Sequence, residues 1–174
     1  MNSNLSSDSR NIAIVGSYAS GKTTLLESLL YLMHAVSRKG SVQDKNTVGD
    51  SAPEARLRQM SLEVTAASAT YNNLCLTFLD CPGSIEFIQE SYNALVGVDA
   101  AIVVCEAEAS RILTLSPLFK FLDDWQIPHL VFINKMDRAN TNFAAVLQTL
   151  QSVSSRPLVL HQYPIGQGEQ LSGF

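Results

Sequence analysis

Asn11 to Val15 (NIAIV) is a short apolar run rich in β-branched residues, the pattern of a buried strand. Gly16 to Lys22 breaks that run. From Thr24 onward Leu25, Leu29, Met33 and Val36 recur at helical spacing, and Leu26 and Leu30 widen the face. Arg38 to Arg58 is polar, carries Gly40, Gly49 and Pro53, and shows no period. It predicts a mobile loop, of a length that compact domains keep when the loop has a job. Leu62 to Ala69 and Leu74 to Leu79 read as strands, with Asn72-Asn73 as the hairpin turn between them. Ile85 to Val96 predicts a helix with Ile85, Ile88, Tyr92 and Leu95 on one face. A strand at Ala100 to Cys105, a helix at Arg111 to Trp125, a strand at Leu130 to Ile133 and a helix at Asn142 to Leu150 follow. Pro157 to Tyr163 is a last strand candidate.

Strands alternating with helices predict βαβ units. The fold class is therefore α/β, three layers deep, with a mostly parallel sheet covered on both faces. In such sheets ligands sit beyond the carboxyl ends of the strands. Candidate chemistry belongs to the residues that follow each strand.

Composition adds limits. A chain of 174 residues with 46% hydrophobic and 16% charged content fits one compact domain with a real core. A net charge of -4 argues against a surface that coats nucleic acid broadly. Cys75, Cys81 and Cys105 form no CxxC pair and read as reduced thiols, with Cys75 and Cys105 buried in strands. No apolar run reaches membrane-spanning length, and MNSNLSSDSR lacks the apolar core of an export signal. Residues 1–10 are expected to be a floppy tail.

After the first strand, Gly16-Ser17-Tyr18-Ala19-Ser20-Gly21-Lys22-Thr23 matches G-x-x-x-x-G-K-[ST] in the strand-loop-helix context the motif requires. Its glycines let backbone N–H groups turn inward toward phosphate oxygens, and the helix N-terminus adds positive potential. Lys22 supplies a full charge for the outer phosphates, and Thr23 a hydroxyl for Mg²⁺. After LVFI comes Asn134-Lys135-Met136-Asp137. An aspartate there can accept from both N1–H and the 2-amino group of guanine, and adenine offers neither donor. Asn134 can pin the loop or meet the other edge of the base, and the stem of Lys135 can cover the purine face. Asp80 ends LCLTFL, where P-loop proteins hold Mg²⁺, usually through water. Gly83 can bring a backbone N–H to the terminal phosphate.

GSYASGKTT, DCPG and NKMD, in this order and context, resemble the translational GTPases. RNIAIVGSYASGKTTLLE, NKMDR and YPIGQGEQLSGF are most similar to elongation factor G. The resemblance runs from Arg10 onward and implies a GTP-binding domain over 11–174, lacking its final guanine-contacting loop and later domains. It implies GTP and GDP as ligands, with Gly16 to Thr24 (Gly16, Ser17, Tyr18, Ala19, Ser20, Gly21, Lys22, Thr23, Thr24) holding the phosphates. Asp80 and Gly83 belong to a second switch, and Asn134, Lys135 and Asp137 read guanine. Arg58-Gln59-Met60-Ser61 falls where the family's first switch carries Arg-Gly-Ile-Thr, so Thr23, Ser61 and Asp80 would gather Mg²⁺. It further implies a cytoplasmic monomer whose partner is the ribosome, with no membrane and no DNA.

The chain departs from the family pattern in four ways. Ala19 replaces an aspartate, and any ion coordination by that acid is lost. Gln59 replaces a glycine. Ser84 stands where the family has a histidine that positions the attacking water. The chain also stops early, which would leave apolar surface exposed on the sheet and first helix. Lys22 and Ser84 are the candidate catalytic residues, and the short neutral hydroxyl of Ser84 predicts weak hydrolysis. A hydrolysing factor on the ribosome and a ribosome-docking, GTP-binding switch are the two leading readings. A P-loop kinase or ATPase is a third, against which NKMD argues. His34 and His129 read as surface or core residues, His161 lies in the last strand candidate with no evident partner, Trp125 reads as packing at a helix end, and no His/Cys cluster suggests zinc. Arg38, Lys39, Lys45, Arg56 and Arg58 read as a solvated loop, with contact to ribosomal RNA phosphates as the sharper alternative.

Overall fold

The computed structural model describes residues 8–49, 63–137, 142–166 and 168–174. Five strands form one sheet in the order β2-β3-β1-β4-β5. They are β1 (Ser9–Gly16), β2 (Thr65–Tyr71), β3 (Leu74–Asp80), β4 (Ala100–Glu106) and β5 (His129–Asn134). β1 runs parallel to β3 and β4, and β4 parallel to β5, while β2 pairs antiparallel with β3. The carboxyl ends of β1, β3, β4 and β5 therefore meet on one edge of the sheet. That edge carries Gly16, Asp80, Glu106 and Asn134.

Strand alternation divides the core in two. Ala13 and Val15 face one side with Leu95, Val103, Phe119 and Leu122. Ile14 faces the other with Leu26, Leu30, Phe78 and Val104. Helix α1 (Lys22–Leu32) covers the second side. Helices α2 (Ile88–Leu95), α3 (Ala109–Leu113), α4 (Ser116–Asp124) and α5 (Phe143–Val153) contribute to the first.

Several expected elements are corrected. Helix α1 starts two residues earlier than the apolar period, at Lys22, because the phosphate-loop turn itself feeds the helix. Its most buried residues are Leu26 and Leu30, Met33 caps it, and Val36 lies past its end. The segment predicted as a helix from Ile85 opens as a 3-10 turn over Ile85–Phe87, and Ile85 is 83% exposed rather than on the buried face. The helix expected over Arg111 to Trp125 is two helices, α3 and α4. Pro117, in the first turn of α4, lacks the N–H an unbroken helix would need there. Pro157 to Tyr163 forms no sheet strand. The Leu158 N–H donates to the Gln151 side chain, and Val159 is exposed. Cys75 is half-buried, while Cys81 and Cys105 are buried.

The Asn72-Asn73 turn is as expected, with both residues at positive φ (49° and 66°), the twist a two-residue hairpin needs. In the described part of the long loop, the buried Glu27 carboxylate accepts from Gly40 N–H (2.8 Å) and Val48 N–H (2.5 Å), tying the loop to α1. Residues 50–58 lie outside the described residues. The sheet is not covered throughout. Leu130 (55%) and Phe132 (39%) on β5 are exposed on the α1 side, as are Tyr31 and Leu32 of α1.

Candidate nucleotide-binding site

The loop after β1 curls at two glycines for separate reasons. Gly16 has φ +144°, and a Cβ there would stand 2.0 Å from the Val104 carbonyl oxygen of β4. Gly21 has φ +99°, and a Cβ there would meet the Asn134 amide at 2.3 Å. The first is demanded by parallel pairing with β4, the second by the loop after β5. Ala19 holds φ 58° between them, a left-handed conformation that costs a residue with a Cβ.

Lys22 is buried at the start of α1, and its ammonium donates to the carbonyls of Gly16 (3.2 Å) and Ser17 (3.0 Å). Burial lowers its pKa from 10.5, while Asp80 and Cys81 nearby act in the opposite direction. Cys81 has its own thiol pushed up to about 12, first by burial and then by Asp80. Thr23 Oγ1 donates to Asp80 Oδ2 at 2.7 Å, so the first turn of α1 and the tip of β3 meet. A hydroxyl beside a buried carboxylate is an all-oxygen donor set. It suits Mg²⁺, which keeps several waters and takes one or two carboxylates with phosphate oxygens. Ser61 lies outside the described residues, with Arg58, Gln59 and Met60. Thr24 follows Thr23 with its side chain exposed, and its carbonyl accepts from Ser28.

At the turn after β3, a Cβ on Gly83 would fall 2.3 Å from Lys22 Nζ and 2.8 Å from the Ser17 carbonyl oxygen. The turn is held by Ser91 of α2, whose hydroxyl donates to the Pro82 carbonyl at 3.0 Å. Ser84 is extended (φ -78°, ψ 141°), and its side chain makes no capping bond to the 3-10 turn it opens. Ser17, Tyr18, Gly83, Ser84 and Arg111 line one cavity of about 510 Å³, floored by Val15, Leu115 and Leu118.

The loop after β5 joins the same site. Asn134 Nδ2 donates to the Ser20 carbonyl at 2.9 Å, and its Oδ1 accepts from Lys135 N–H. Of the two roles open to Asn134, the geometry has it pinning the phosphate loop. The Lys135 ammonium donates to the Ala19 carbonyl (2.7 Å) and pairs with Glu106 (2.5 Å), so its stem crosses from one loop to the other. Asp137 is exposed, beyond buried Met136. Lys22, Thr23, Asp80 and Gly83 thus converge on one edge of the sheet with Asn134 and Lys135, and Asp137 follows in the same loop.

Two residues of this site were missed in the sequence. Glu106, 2% exposed, ends β4, and Arg111 on α3 pairs with it. The strand was predicted to stop at Cys105. The signal is its position directly after the apolar run AAIVVC, the same place Asp80 and Asn134 hold after theirs. Arg111 has no local signal, because its partners lie in other loops.

The elongation factor Tu GTP binding domain model matches residues 7–168. The chain is 65% identical over its whole length to an elongation factor G-like protein of Synechocystis, of which it covers 26%. It is 34% identical over 94% of its length to a mitochondrial ribosome-releasing factor 2 of Drosophila willistoni, of which it covers 22%. A crystal structure from Thermus thermophilus superposes with a TM-score of 0.85 at 32% identity, covering 94% of this chain and 24% of that one. The chain spans about a quarter of the length of these relatives. With the phosphate loop, the strand-tip aspartate and the guanine-type loop on one sheet edge, it belongs to the elongation factor Tu GTP-binding domain family, a family of guanine-nucleotide-binding domains.

Proposed function

We propose that this domain binds GTP and GDP in a translation factor of the elongation factor G kind, coupling GTP hydrolysis to work on the ribosome. The observation that carries this is the approach of Lys22, Thr23, Asp80 and Gly83 to one another across a phosphate loop tethered by Asn134 and Lys135. In this assignment Gly16 to Thr24 bind the phosphates, Asp137 reads the base, and Lys22 offsets phosphate charge. Thr23, Asp80 and Ser61 would hold Mg²⁺, which when bound neutralises charge between the outer phosphates. The domain is assigned to 11–174, although Ser9 and Arg10, expected in a tail, are already paired with β3 as the start of β1, and the protein is assigned to the cytoplasm as a monomer. The relatives named for elongation factor G and ribosome release support the ribosome as partner. Fluorescent-nucleotide titration tests the first part. GDP and GTP should bind, ATP should fail to compete, and Asp137→Asn should weaken GTP while admitting xanthosine nucleotide. Competition by ATP would favour a kinase or ATPase.

Ser84 favours a second reading. It borders the cavity together with Gly83 and Ser17 of the phosphate loop, and its hydroxyl is neutral and far shorter than an imidazole. It orients water only weakly, so the protein would act as a ribosome-docking switch with slow hydrolysis. Single-turnover hydrolysis with ribosomes decides between the two. A rate that rises when Ser84→His is introduced supports the switch. A wild-type rate matching an elongation factor G control run alongside supports the hydrolysing factor.

A further inference from the structure

Three consecutive carbonyls of the phosphate loop are each held from outside by a different donor. Arg111 donates to Tyr18 O (3.2 Å), Lys135 to Ala19 O (2.7 Å) and Asn134 to Ser20 O (2.9 Å). No described peptide bond is cis, so each C=O points opposite to the N–H of the same peptide plane. A carbonyl held outward aims the next N–H inward. The three contacts thereby orient the N–H groups of Ala19, Ser20 and Gly21. The Ser20 N–H meanwhile makes a long bond to Ser17 O (3.3 Å), one it can exchange for a phosphate oxygen.

The first donor is the one the guanine-type loop does not supply. Arg111 sits on α3, and its guanidinium is placed by the buried carboxylate of Glu106 (3.4 Å) and by exposed Glu108 (3.6 Å). Glu106 also holds Lys135. One carboxylate at the tip of β4 thus carries the two cations that hold adjacent peptide planes. Ala19 has no polar side chain of its own to fix its left-handed backbone.

We propose that Arg111 is a positioning residue for nucleotide binding: held by Glu106, it fixes the Tyr18–Ala19 peptide so that the Ala19 N–H faces the phosphates. This rests on the guanine-nucleotide reading above. Arg111 acts through the loop backbone and is assigned no contact with the ligand.

The test uses the intact protein and the dissociation rate of N-methylanthraniloyl-GDP, with thermal unfolding of the nucleotide-free form in parallel. A partly exposed ion pair sets the scale, so Arg111→Ala should speed dissociation about two- to fivefold while leaving the unfolding temperature unchanged. Arg111→Lys, which keeps a charge for Glu106 and a donor for Tyr18, should restore most of the slow rate. Should the alanine variant fail to fold, Arg111→Gln replaces it, with the same direction expected. A wild-type rate in the alanine variant overturns the proposal. So does a faster rate that tracks a fall in unfolding temperature and is not restored by lysine. A folded wild type that holds no GDP overturns this inference together with the nucleotide reading, which separates the two failures.

Discussion

At the residue scale, the site is a set of close approaches that leave no room for added atoms. Gly83 is the clearest case, because a Cβ there would crowd Lys22 Nζ and the Ser17 carbonyl together. The lysine tip can move, but the carbonyl belongs to the phosphate loop. Gly83→Ala should therefore weaken GTP binding about tenfold, the loss of one charge-assisted bond, with little change in unfolding temperature. Calorimetric titration beside a thermal melt checks both halves. Lys22 makes a second prediction, through pH. Burial lowers its folded pKa below 10.5, so between the folded value and 10.5 the unfolded chain binds more protons and stability rises with pH. Cys81 and Cys105 work in the opposite sense. Their folded thiols are raised to about 12, so stability is lost as pH climbs above 9. Comparing wild type with Lys22→Met cancels Cys105; Cys81, which the Lys22 charge lowers, is raised further in the variant and so adds to the difference in the same direction. The stability of the nucleotide-free wild type relative to this variant should grow as pH rises toward 10.5, and a constant difference in denaturant melts would refute the assignment.

At the element scale, the loops of the site are shaped by partners on other elements or on the helix they leave. Gly21 is packed by Asn134 from β5, and the long loop after α1 is anchored by Glu27. The β2–β3 hairpin is set by local chemistry instead. Asn73 holds φ 66° at the second turn position, where glycine carries no Cβ penalty. Asn73→Gly should stabilise the protein by a few tenths to about 1 kcal/mol in urea unfolding, without altering nucleotide affinity.

At the scale of the whole molecule, the sheet is asymmetrically covered. Helices α2 to α5 pack the Ala13 side, while on the α1 side Leu130 and Phe132 of edge strand β5 stay exposed. An exposed apolar edge favours self-association. The 174-residue chain alone should show concentration-dependent association in sedimentation velocity, reduced by the double change Leu130→Lys and Phe132→Lys. Unchanged association would move the sticky surface elsewhere.

The sequence by itself determined what is local. Apolar runs ending in Gly16, Asp80 and Asn134 located three strand tips, and the phosphate-loop and NKMD spacings named their chemistry, because those motifs are read from contiguous residues. Asn72-Asn73 declared its turn for the same reason. Only the tertiary structure decided what depends on juxtaposition. It placed Glu106 where two cations from α3 and the β5 loop meet and gave Asn134 its tethering role, whereas the break before Pro117 is local chemistry. It also left Pro157 to Tyr163 outside the sheet, with the Leu158 N–H on Gln151. A carbonyl's donor or a carboxylate's cation can come from anywhere along the chain, and only folding brings the two within hydrogen-bond distance.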